Sequence, residues 1–159
     1  MINNQSKSLL IRAELLSILI SIVACLLIIV PIYRAFGNDY GFYIANIFAI
    51  LIFINYTRLI FLLKYTPYAY STIVKLVLIF ASIPLGFYFV DRLYDFQRLL
   101  DEVGLNGFLN SEANAPTGMA KFARIQYLFF NSGTITVLIM LPIRMIVSIW
   151  RIRNNKNSV

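Results

Sequence analysis

The chain has 159 residues, of which 60% are apolar, 15% aromatic and only 13% charged, with a formal net charge of +7. A water-soluble domain carries about 25% charged residues, so this chain lacks the polar surface to cover itself and calls for lipid as its solvent. It contains no histidine and a single cysteine, Cys25, which excludes imidazole ligation of haem or zinc, Ser-His catalysis, an intramolecular disulfide and a dithiol redox pair.

From the N-terminus, a first apolar run covers 9–33, broken by Arg12 and Glu14 near its start and closed by Pro31 and the polar stretch 34–40 with Gly37 and Asn38. A second covers 41–63 and ends at Lys64 and the Thr66-Pro67 turn. The third, 73–90, is shorter, with Lys75 near its start and Asp91-Arg92 at its end. Over 91–103, Leu93, Phe96, Leu100 and Val103 recur at helical spacing with the charges largely opposite. That pattern predicts an amphipathic helix, either extending the third span or lying on the membrane surface, with Arg98 able to pair with Asp95 and Glu102. Gly107, Asn110, Asn114 and Pro116 predict an irregular outer loop within 104–124. The last run, 125–150, carries Pro142 and Arg144 and is followed by Arg151, Arg153 and Lys156.

A span needs about 20 mostly apolar residues. The expected fold is therefore all-α: a polytopic integral membrane protein, one membrane domain over 1–159 with four transmembrane helices and an amphipathic extension after the third. Apolar residues occur on all sides of each run, and the strict alternation of a barrel strand is missing.

Lysine and arginine near the span ends set the expected orientation. With the N-terminus inside, Lys7, Arg12, Lys64, Lys75, Arg151, Arg153 and Lys156 fall on the cytoplasmic side, with Arg58 and Arg144 in the inner leaflet. The far side receives basic residues mixed with Asp39, Asp91, Asp95, Asp101, Glu102 and Glu112. Both termini are expected to be cytoplasmic, in a bacterial inner membrane, and the positive charge faces anionic lipid rather than nucleic acid. Ile22-Val23-Ala24-Cys25 resembles a lipoprotein cleavage box, but the chain stays apolar after Cys25, so this cysteine is read as a small packing residue.

Small residues at a spacing of four mark faces where helices can approach. Ala13, Ser17, Ser21 and Cys25 form one such row and Gly41, Ala45 and Ala49 another; either serves the fold of one subunit or contact with a second chain. Pro84 and Pro142 each remove a backbone donor inside a span. Ionisable groups inside a span are costly, and Glu14, Arg58 and Arg144 share one depth near the cytoplasmic helix ends. Glu14 is expected to pair with Arg58 or Arg144, the alternatives being arginines that snorkel to the headgroups and an anion or lipid-headgroup site. Asn46, Asn55, Asn131, Ser132, Thr134 and Thr136 are expected to make interhelical hydrogen bonds, the alternative being that they line a water path.

No nucleophile with its base, metal cluster or phosphate-binding loop stands in the sequence, so no enzyme activity, catalytic residue, metal or cofactor is expected. The leading expectation is a non-catalytic subunit or assembly factor of a larger membrane complex. Its partners would be lipids and other membrane subunits or further copies of itself. Gly41, Ala45 and Ala49 would form its seam, Arg58 and Arg144 its orienting charges, and Leu93, Phe96 and Leu100 an outer contact face. The alternatives are a self-associating pore or small transporter and, third, an immunity or exclusion protein that binds a toxin within the bilayer. Immunity proteins against pore-forming bacteriocins are similar in size and class alone.

Overall fold

The computed structural model describes residues 4–107 and 117–154. Four helices, α1 (Asn4–Phe36), α2 (Tyr43–Leu62), α3 (Thr72–Gly107) and α4 (Thr117–Arg153), account for nearly all of them, with no strand among the described residues. Short 3-10 turns at Gly37–Asp39, Leu63–Tyr65 and Pro67–Tyr70 complete the two described connections. All four helices are long and apolar enough to cross a membrane, over Leu9–Phe36, Tyr43–Tyr65, Thr72–Glu102 and Gly118–Arg153.

The helix ends follow local chemistry, and three points bear on the sequence reading: two depart from it and one decides between its alternatives. The first concerns Pro31, which was expected to help close the first span but lies inside α1; the helix instead ends at Phe36, before Gly37 with φ of +56°. Glycine occupies that left-handed conformation without a Cβ clash, whereas a proline in a long apolar helix forfeits one backbone hydrogen bond and need not end it. Second, residues 91–103 continue α3 without interruption, until Gly104 leaves helical geometry at φ +70°, ψ 178°. The amphipathic segment is thus the third helix prolonged. Third, 117–124 was read as loop but opens α4, because Ala120 and Ala123 are completely buried there beside Tyr127 and Phe96. The rest of the expected outer loop, 108–116, lies outside the described residues. At the start of α3, Ser71 accepts a hydrogen bond at Oγ from the Val74 amide (3.4 Å), the usual arrangement for an N-capping serine.

Consecutive helices run antiparallel. Glu14 meets Arg58 while Ile32 and Phe36 meet Ala45, so α1 and α2 oppose one another. Lys75 meets Ser148 while Phe96 meets Tyr127, so α3 and α4 do the same. α2 and α4 are therefore parallel, in a register running from Phe42 on Tyr127 through Ala49 on Thr134 to Ile60 on Arg144. Helix α4 is the hub: it packs most extensively on α3 and α2, while α1 leans chiefly on α2. The bundle is closer to an open row, α1–α2–α4–α3, than to a closed square. One end holds the start of α1, the α2–α3 connection and the end of α4 (the terminal end); the other holds the α1–α2 hairpin (the hairpin end).

Candidate functional site

At the hairpin end the contacts are aromatic. The Phe96 and Tyr127 rings lie 4.1 Å apart at their centroids, and Phe42 stands edge-on to both, at 5.2 and 5.5 Å. Tyr40 meets Tyr43 at 4.7 Å, and the Tyr43 hydroxyl donates to the Gly37 carbonyl (2.7 Å), tying the hairpin together. Burial, with the neighbouring Tyr127 and Tyr43, pushes the Tyr40 phenol well above its ordinary range. Phe96 was expected to present an outer contact face with Leu93 and Leu100. It is fully buried, however, and Leu100 packs against the same cluster, so this face is turned onto the chain's own α4. Leu93 is half-buried. The charges opposite pair as Arg98 with Glu102 (2.7 Å) and Arg92 with Asp95 (3.2 Å).

The middle of the bundle holds the close approaches. Thr134 donates to the Ala49 carbonyl across the α2–α4 seam (2.8 Å). Ala45 and Ala49 are buried there, whereas Gly41 is exposed with open space around it. In the α1 row Ser21 and Cys25 are buried, Ser17 is half-buried and Ala13 is exposed. Gly133 has the Phe53 ring so near that an added Cβ would meet it at 2.7 Å. The polar residues of α4 divide by direction. Asn131 and Thr134 are buried, while Ser132 and Thr136 are exposed and donate to carbonyls of their own helix. Asn55 likewise bonds back to Leu51, whereas neither amide atom of the fully buried Asn46 finds a partner among the described residues.

The charged contacts between helices gather at the terminal end. Arg58 on α2 donates through Nη2 to Glu14 Oε1 on α1, with both side chains largely buried at 17% and 11% exposure. The contact is single-point, since Arg58 Nε and Glu14 Oε2 are buried without partners among the described residues. Arg144 on α4 does not join this pair; its Nε donates to the Ile60 carbonyl of α2 (3.0 Å). Lys75, one turn into α3, is completely buried and donates from Nζ to Ser148 Oγ on α4 (2.8 Å). The sequence reading had placed Lys75 only among the basic flanks. Each helix contact in the row thus has a charged side chain spanning it: Glu14–Arg58 for α1–α2, Arg144 for α2–α4 and Lys75 for α3–α4. No protein-family model, curated protein or solved structure matches this chain.

Proposed function

We propose that the chain is an integral membrane protein that serves as a non-catalytic subunit or assembly factor of a larger complex. The observation that carries this reading is the one-sided burial of α1. In the most apolar window of that helix, of mean hydropathy 3.1, only 22% of residues are buried. Leu15, Leu19, Leu26 and Leu27 are all more than half exposed. A surface of that kind needs an apolar neighbour, which is lipid along most of its length and a partner helix where backbones approach. The open row supports the same reading, because α1 and α3 each keep a long outward face instead of closing on one another.

In this proposal both termini face the cytoplasm of a bacterial inner membrane, with the terminal end in the inner leaflet, as the positive-inside bias requires. The charged contacts then hold the helix row in register, while the outward face of α1 docks. A photo-crosslinking amino acid at Leu27, which is 72% exposed, tests this in living cells. The reading expects a discrete adduct with another membrane protein; adducts with lipid or with a second copy of the chain alone contradict it.

A further inference from the structure

The terminal end carries more positive charge than its own residues neutralise. Arg58, Lys75 and Arg144 all lie there, and Glu14 is the carboxylate that faces them, already engaged by Arg58. Lys75 has three N–H donors and, among the described residues, one acceptor, the Ser148 hydroxyl, which brings no charge. Arg144 stands one helical turn before Ser148 on α4, on the same face as the hydroxyl that holds Lys75. Its Nε is held by Ile60, while its Nη groups have no acceptor among the described residues and are not sealed from their surroundings. Two cations side by side in an apolar layer are costly without a counter-charge. The anchored Nε leaves the guanidinium edge fixed for forked recognition of an oxyanion. A phosphate suits that edge in size and charge, and basic pockets between membrane helices on the cytoplasmic side take phosphate headgroups.

We propose that Arg144, backed by the field of the buried Lys75, forms a binding site for a phosphate group. A phospholipid headgroup and free phosphate are its two sources. The site rests on the membrane placement proposed above but not on the subunit role.

The test uses the full chain, purified in neutral detergent and delipidated. Its affinities for phosphatidylglycerol and for diacylglycerol, which has no phosphate, are measured by native mass spectrometry, and the shift in unfolding temperature is read with inorganic phosphate alone. The site predicts at least tenfold tighter retention of phosphatidylglycerol, lost in Arg144→Gln and kept in the surface variant Arg98→Gln. Stabilisation by inorganic phosphate without lipid preference, again lost in Arg144→Gln, supports the site with free phosphate as its ligand. Equal retention of both lipids with no phosphate shift overturns the site, as does undiminished binding by a folded Arg144→Gln. If that variant does not fold, the wild-type comparison decides alone. Carbonate extraction of membranes reports insertion separately, so a chain that inserts but binds no phosphate contradicts this inference and leaves the membrane reading standing.

Discussion

Glu14 and Arg58 lie 44 positions apart and meet in an environment where a lone charge is expensive. Removing one member leaves the other uncompensated, so Glu14→Gln is expected to destabilise the fold by about 3 kcal/mol, as for other buried pairs broken on one side. Unfolding in mixed micelles checks it, and the double variant Glu14→Gln/Arg58→Met should recover most of the loss, because no stranded charge remains. Thr134→Val tests a different kind of contact. The Ala49 carbonyl that Thr134 reaches belongs to a helix with its own hydrogen-bond ladder, so the loss should be near the roughly 0.6 kcal/mol average for such bonds in membranes. These charges were legible in unequal measure. Their cost in lipid drew attention to Glu14, Arg58 and Arg144, but the choice of partner depended on helix order, which no local pattern encodes. Lys75 looked like an ordinary basic flank, since its acceptor Ser148 is 73 positions away on a helix whose neighbours were unknown.

The existence and number of the helices follow directly from apolar run length, and α2 ends within two residues of the expected boundaries. Errors gathered where a residue type has two uses. Pro31 breaks helices in water yet sits within α1, and the polar start of α4 reads as loop until Ala120 and Ala123 are seen packed beside Phe96. The amphipathic stripe on the end of α3 was correctly periodic, but its apolar side meets α4 of the same chain; periodicity reports that a face is covered, not by what. Small-residue rows have the same limit: Ala45 and Ala49 are buried in a seam, while Ala13 and Gly41 at the row ends are exposed. A paired substitution separates tight from loose contacts between helices. Gly133→Ala forces the Phe53 ring aside from its packing on Phe129 and Phe130 and should cost about 1 kcal/mol, at the low end for overpacking. Gly86→Ala, with nothing within 4 Å of the new Cβ, should be neutral or slightly stabilising. Thermal unfolding of both variants in one detergent provides the comparison.

For the molecule as a whole, the antiparallel order places the start of α1 and the end of α4 at one end and the Gly37–Asp39 turn at the other. In the orientation proposed from the charge bias, the terminal end faces the cytoplasm. In a Cys25→Ser background, Asn38→Cys is expected to react with an impermeant maleimide in intact spheroplasts, and Asn154→Cys only after lysis. The reverse pattern would invert the orientation. Function is less legible than fold because an outward apolar face looks the same in sequence whether lipid or a partner covers it. The central claim, membership of a larger complex, is tested most directly by the mass and composition of the native particle. The protein should be extracted from its own membrane in mild detergent or polymer, with its components identified by mass spectrometry. The account predicts a particle with other membrane proteins in fixed stoichiometry. A particle containing this chain alone would contradict it and give first place to a self-associating pore.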